Sequence, residues 1–348
     1  MPRNHTGRRP VVLVASVLAG VLSLAACTTA STPSAPSSAP SAAASVPAGL
    51  ASFYAQRLAW TPCGQGHACA TASVPLDYAD PAGATLTLAL KRVPASATPR
   101  LGTLFVNPGG PGVGTDAGDW FDRTGLEPYD LITWDPRGTG ASPVVCADAA
   151  GTDRYLATDS SPDDAAESDA LLAAQRAFTD ACAVHTSTAV LAHVSSAENA
   201  RDLDILRAAA GDDRLTFYGA SYGTLIGALY AEFFPGNVGR LVLDSPVDVT
   251  GAEAVQQSAG MEAALDGFAA WCAAEGECGL GADAEGVHRT LETWLTSLDA
   301  APLARPGPTG PVAWGRVLTQ SLAAQAVTAL NDTQAVTAEQ LAALAVPL

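Results

Sequence analysis

Residues 215–231 read LTFYGASYGTLIGALYA, and this stretch restricts the possible folds of the chain most severely. An apolar run at 215–218 reaches Gly219-Ala220-Ser221-Tyr222-Gly223 and passes into a segment of helical character. Gly-x-Ser-x-Gly between a strand and a helix is a sharp turn that holds its serine in a strained backbone conformation. The residues two before and two after must be small, because strand and helix close on them and glycine has no Cβ to collide. Ser221 is then expected to lift its hydroxyl above the sheet, and the Tyr222 N–H to face a developing oxyanion. The alternative is an ordinary Gly-rich turn, which 32 glycines make available by chance.

Further short apolar runs bounded by turn residues lie at 71–76, 85–93, 102–107, 130–135 and 240–244. The later ones read as buried strands of a largely parallel sheet. Helical stretches separate them. The clearest is 195–210, where Ser195 and Glu198 match a capping box and Leu203, Leu206 and Ala210 share a face. Strand and helix alternating around Ser221 give an α/β domain.

The run ending at Val106 is followed by Asn107-Pro108-Gly109-Gly110-Pro111-Gly112. Such glycines let backbone approach a ligand and aim N–H groups at it. We assign the second oxyanion donor to Gly110, with Gly109 as the fallback. Residues 112–117 also match a loose Gly-x-Gly-x-x-Ala dinucleotide pattern. The glycines start several residues beyond the strand, proline interrupts them, and no P-loop lysine follows, so no nucleotide cofactor is expected. Asp135 and Arg137, in Asp-Pro-Arg-Gly-Thr-Gly, are expected to pair and hold their loop beside the glycines. Asp244 closes the strand after the nucleophile helix and is read as structural rather than as a triad acid.

The formal charge of −17 includes Arg3, Arg8 and Arg9 in a leader that has no acids, so the remainder is more acidic still. That argues against nucleic acid as a partner, since phosphate binding needs basic patches. It mildly favours cationic ligands such as a free peptide amino group. The basic start, the apolar run 11–24 and Leu24-Ala25-Ala26-Cys27 are similar to a bacterial lipobox. We expect residues 1–26 to be a lipoprotein signal peptide and Cys27 to be acylated. The alternative is an ordinary secretory signal cut near Ala26. The Ser/Ala/Pro-rich residues 27–48 read as a tether. The protein would thus be exported and anchored by lipid to the outer face of a bacterial membrane, or released from it.

Six cysteines remain after Cys27. An even number in an exported protein suggests disulfides, with 15 connectivities possible. Proximity favours Cys63–Cys69 and Cys272–Cys278, which leaves Cys146–Cys182. A metal site is the alternative, and none is expected, because no Cys-x-x-Cys or histidine pair sits at ligand spacing.

Taken together, Asn107–Gly112, Asp135–Gly140, Ala-Arg-Asp-Leu-Asp from Ala200, Tyr-Gly-Ala-Ser-Tyr-Gly-Thr from Tyr218, Phe-Pro from Phe234 and Leu-Val-Leu-Asp from Leu241 resemble one family. It is the secreted actinobacterial tripeptidyl aminopeptidases, relatives of proline iminopeptidase among the α/β-hydrolases. The resemblance implies an α/β-hydrolase fold, with a mostly parallel core over 49–250. An inserted helical cap would begin within 251–348, and the last strands would be lacking. It implies a serine exopeptidase, without cofactor, that removes short peptides from free N-termini through an acyl-enzyme at Ser221. An esterase and a non-catalytic surface lipoprotein are the alternatives.

Nucleophilic catalysis also needs a base for the Ser221 proton and an acid to orient that base. In this fold they follow the nucleophile in the order acid, then histidine. The only histidine after Ser221 is His288, in a cap-like helix beside Glu285 and Arg289, and it reads as a surface residue. His67, His185 and His193 precede the serine and read as loop or surface residues, and the Pro/Gly stretch 302–311 reads as a loop. The triad acid and base are therefore expected to be absent from this chain, which would turn over substrate barely or not at all.

Overall fold

The computed structural model describes residues 46–159, 162–250, 253–275, 279–300, 303–307 and 310–314. The leader, Cys27 and most of the tether lie outside them. The described residues form a seven-stranded sheet ordered β1-β2-β3-β5-β4-β6-β7. Its strands are β1 (Thr61–Pro62), β2 (Ala68–Pro75), β3 (Thr85–Val93), β4 (Gly102–Asn107), β5 (Tyr129–Trp134), β6 (Leu215–Ala220) and β7 (Val238–Asp244). The sheet is mixed. β1, β2, β3 and β5 pair antiparallel in that order, whereas β5, β4, β6 and β7 run parallel. The parallel half is the part expected of the later runs, and it carries Ser221.

The helices in chain order are α1 (Ala51–Ala55), α2 (Ala117–Trp120), α3 (Ala149–Leu156), α4 (Ala165–His185), α5 (Thr188–Leu191), α6 (Ser196–Ala210), α7 (Tyr222–Phe233), α8 (Glu253–Glu275) and α9 (Ala284–Ala300). α6 begins on the expected capping box: the Ser195 side chain accepts from the Glu198 N–H while the Glu198 carboxylate reaches back to the Ser195 N–H. Gly211 ends the helix in the left-handed region at φ 89°, where a Cβ would be strained. Leu203, Ile205 and Leu206 of α6 are buried with Leu88, Leu90, Phe105, Trp134 and Phe217 of the sheet and Tyr230 of α7. Phe105 and Phe217 flank Trp134 with ring centroids 6.3 and 6.4 Å away.

Two expectations change. The run 240–244 is a strand, but not a buried one. Among the described residues β7 pairs only with β6, at the sheet's edge, and Val242 and Leu243 are exposed. The Pro/Gly stretch beyond residue 302, read as a loop, contains an antiparallel pair, β8 (Leu303–Gly307) and β9 (Gly310–Trp314). The prolines do not prevent it because Pro306 and Pro311 face each other in a two-stranded ribbon, where every strand is an edge.

α8 and α9 pack on each other around Phe268, Ala269, Cys272, Leu280, Val287 and Leu291, within the stretch where a helical cap was expected to begin. Cys63–Cys69, favoured by proximity, and Cys146–Cys182, the pair left over, are disulfides. Cys272 is also disulfide-bonded; Cys278, its expected partner, lies outside the described residues.

Candidate active site

Ser221 stands at the junction of β6 and α7 with φ 51° and ψ −124°. Non-glycine residues rarely adopt a positive φ, and here the surroundings impose it. The Ser221 N–H donates to the Asp244 carbonyl at 2.9 Å, and the Ser221 carbonyl accepts from the Thr224 N–H at 2.9 Å and its hydroxyl at 2.6 Å. The Thr224 hydroxyl oxygen in turn accepts the Val247 N–H at 3.0 Å. Ser221 itself remains exposed.

The two flanking glycines are required by packing. A Cβ on Gly219 would lie 2.5 Å from the Gly223 carbonyl oxygen, and one on Gly223 would lie 2.2 Å from the Asn107 carbonyl oxygen. The turn and the loop after β4 are thus pressed together. From the other side, a Cβ on Gly109 would come within 3.0 Å of both the Ser221 Cβ and the Tyr222 nitrogen. Gly109 and Gly110 adopt φ values of 100° and 108°. The Asn107 side-chain oxygen accepts the Gly109 N–H at 3.0 Å. The N–H groups of Gly110 and Tyr222 have no acceptor among the described residues.

The loop after β4 is also gripped at its far end. The Asp135 carboxylate accepts the Thr115 N–H at 2.8 Å, and the Thr133 hydroxyl donates to the Thr115 carbonyl at 3.0 Å. Asp135 and Arg137 do not pair, contrary to the sequence reading. They are two residues apart on a turning backbone and leave in different directions. Arg137 is buried and binds Asp202 of α6 through two bonds, Nε to Oδ2 at 2.8 Å and Nη2 to Oδ1 at 2.6 Å. Its remaining donors reach the carbonyls of Pro75, Leu76 and His193. Burial disfavours its charge, but Asp202 more than offsets this, so the guanidinium pKa is raised.

Tyr222 is tied back to α6, its hydroxyl and that of Ser196 lying 2.6 Å apart. Tyr218 donates its hydroxyl to Asp244 at 2.7 Å. That bond, then burial and the carboxylate's charge, push the phenol up to about 12. Asp244 therefore serves the turn twice, through its carbonyl and its carboxylate.

The described histidines are engaged elsewhere or sit on helix surfaces. His67 faces Asp119, His193 lies 2.7 Å from Glu198, and His288 reaches across the α8–α9 pair to Asp266 at 3.0 Å. His185 is exposed at the end of α4. None is hydrogen-bonded to Ser221. Among the described residues no group of three or more His, Cys, Asp or Glu side chains could hold a metal ion.

Sequence reasoning singled out Ser221, Tyr222 and Gly110 but did not name the groups that hold the turn and its neighbouring loops: Asn107, Asp202, Ser196 and the Thr115–Asp135 bond. Asn107 heads a recognisable motif, yet nothing in the motif says that its side chain folds back on the loop. Asp202 sits in the quoted Ala-Arg-Asp-Leu-Asp run, where its spacing of four and eight residues from Leu206 and Ala210, on their apolar face, was the signal available.

A family model for the α/β-hydrolase fold matches residues 102–297. The chain is 37% identical over 278 residues to the serine protease Hip1 of Mycobacterium tuberculosis, covering 73% of this chain and 53% of that protein. It is 36% identical over 192 residues to a tripeptidyl aminopeptidase of Streptomyces lividans, covering 52% and 35%. It is also 36% identical over 233 residues to carboxylesterase B of Mycobacterium tuberculosis, covering 64% and 45%. The chain spans about half the length of the first of these relatives. Among the described residues no helix is long and apolar enough to cross a membrane.

Proposed function

Because this chain belongs to the α/β-hydrolase family, we propose that it is the nucleophile-bearing part of a serine hydrolase of the peptidase type. The observation that carries the reading is the exposed Ser221 at φ 51°, with the Gly109–Gly110 turn pressed against it. In the reaction, Ser221 Oγ attacks the acyl carbon and its proton passes to a base. The carbonyl oxygen becomes an oxyanion held by the N–H groups of Tyr222 and Gly110. Collapse of this intermediate expels the amine, which takes the proton, and leaves an acyl-enzyme that water hydrolyses.

No described histidine is placed to take the Ser221 proton, and a base and acid brought by further polypeptide are part of this proposal. The chain alone retains only what the oxyanion donors and substrate binding provide, and losing the base costs on the order of 10⁴–10⁶ in rate. A fluorophosphonate probe tests this. Ser221 labels slowly in the 348-residue chain and fast once a histidine-bearing polypeptide is supplied. Fast labelling of the chain alone would show that the base is already present. No labelling in either form would remove Ser221 as nucleophile.

The substrate is a peptide with a free N-terminus, a reading supported by the aminopeptidase relative and the acidic surface. The carboxylesterase relative supports a second reading, an acyl ester, which reacts through the same tetrahedral intermediate. Turnover of a tripeptide p-nitroanilide against p-nitrophenyl butyrate, with the histidine-bearing polypeptide supplied, separates the two. Export with a lipid on Cys27 completes the proposal, and membrane attachment is through that lipid only. The mass of the mature N-terminal peptide decides it: a diacylglyceryl cysteine supports the anchor, and an unmodified N-terminus near Ala26 refutes it.

A further inference from the structure

We propose that Asn107 is a positioning residue that selects which backbone amide of the 107–112 loop faces Ser221; the proposal rests on the serine-hydrolase reading above. Asn107 is the last residue of β4 and is paired with Gly219, which places it directly beside the turn that carries the serine. It is 1% exposed. Gly223 closes on its carbonyl oxygen and, at 3.0 Å from a Cβ position, on its side-chain oxygen as well. Held there, the side-chain oxygen captures the Gly109 N–H.

The loop has few donors to offer. Pro108 and Pro111 have no N–H, so within residues 108–112 only Gly109, Gly110 and Gly112 carry one. With the Gly109 amide taken by Asn107, the Gly110 N–H is the next amide of the loop, and it has no acceptor among the described residues. Gly109 approaches Ser221 and Tyr222 through its α-carbon, not its amide. The Asn107 side chain thus decides between the two glycines: without it the Gly109 peptide is free to rotate, and Gly110 leaves the oxyanion position.

The test compares wild type, Asn107→Ala, Asn107→Asp and Ser221→Ala in the 348-residue chain. Fluorophosphonate labelling is resolved into probe affinity and maximal rate, and hydrogen exchange is followed at the Gly109 amide. In Asn107→Ala the maximal labelling rate falls about 10- to 100-fold with affinity unchanged, and Gly109 exchange becomes about tenfold faster or more. Asn107→Asp keeps an acceptor, so Gly109 stays protected. Its labelling, slowed by a carboxylate beside the oxyanion, recovers relative to wild type as the pH is lowered and the carboxyl is protonated.

An Asn107→Ala protein that labels at the wild-type rate with a fast-exchanging Gly109 overturns the proposal. So does unchanged Gly109 exchange in that variant. Should Asn107→Ala not fold, Asn107→Asp decides: fast Gly109 exchange overturns the proposal, and slow exchange with pH-dependent labelling supports it. Labelling that persists in Ser221→Ala, or that is absent from wild type even when a histidine-bearing polypeptide is supplied, defeats the nucleophile reading instead. The exchange comparison then still decides whether Asn107 sets the loop.

Discussion

Gly223 lies so close to Asn107 that a methyl group added at its α-carbon would sit 2.2 Å from the Asn107 carbonyl oxygen. The contact is backbone against backbone, so no side chain can swing away. Gly223→Ala must push α7 off β4 or unseat the loop. We expect a loss of about 1–3 kcal/mol in urea denaturation, the usual range for overpacking, and slower Ser221 labelling in the protein that remains folded. Gly236→Ala is the control: a Cβ there meets nothing within 4 Å, and its stability should change by no more than about 0.5 kcal/mol. Equal effects from both variants would contradict the tight approach.

Arg137 and Asp202 tie the loop after β5 to α6 with neither side chain exposed. Removing one partner leaves a buried charge unmatched, so Arg137→Met is expected to cost about 3–5 kcal/mol. Arg137→Lys should be nearly as damaging, since an ammonium cannot span a two-pronged carboxylate and three carbonyls. The double variant Arg137→Met/Asp202→Leu should lose less than the sum of the single variants. Strict additivity in denaturant melts would show that the two groups are not coupled.

The strands around Ser221 were legible because parallel strands buried on both faces are continuous apolar runs, and 215–218 and 102–107 are such runs. The turn was legible because only glycine fits at 219 and 223. What escaped is long-range. Arg137 and Asp135 sit two residues apart, and nothing local says that one will reach Asp202 of α6 while the other holds Thr115. The exposure of β7 was equally invisible: Val242 and Leu243 are as apolar as any core pair, and only the absence of a described strand beyond β7 leaves them in the open. The β8–β9 ribbon was missed because proline was weighed as a breaker without asking whether the strand was an edge.

The helices α3 and α4 have no fully buried residue. They lean on each other through the Tyr155–Phe178 stack, with centroids 4.4 Å apart, and are fastened by Cys146–Cys182 across 36 residues. Closing a loop of that length restricts the unfolded chain by about 3–4 kcal/mol in the chain-entropy account. Reduction, or Cys146→Ser with Cys182→Ser, is therefore expected to loosen this arm first. Limited proteolysis should cut between residues 147 and 185 while the sheet stays folded. Simultaneous loss of the sheet, seen as a single cooperative transition with the cuts, would show that the arm is integral to the core.

The Tyr218–Asp244 bond gives the turn a titration signature. The hydrogen bond to Asp244 is the largest cause holding the phenol at about 12, ahead of burial and the carboxylate's charge. Asp244→Ala removes the first and last of these, so the Tyr218 transition should move back toward the ordinary value of 10.0. Absorbance near 295 nm, taken as the difference from Tyr218→Phe, isolates it. The sign for stability follows: a phenol pKa raised in the folded state favours folding while the group is protonated. That contribution is whole below the unfolded pKa near 10 and is lost as pH rises through about 12. Wild type should therefore lose stability over this window faster than Asp244→Ala, which has less to lose. Superimposable alkaline titrations of the two proteins would mean that Asp244 does not hold Tyr218, and that it meets the turn only through the carbonyl that receives the Ser221 N–H.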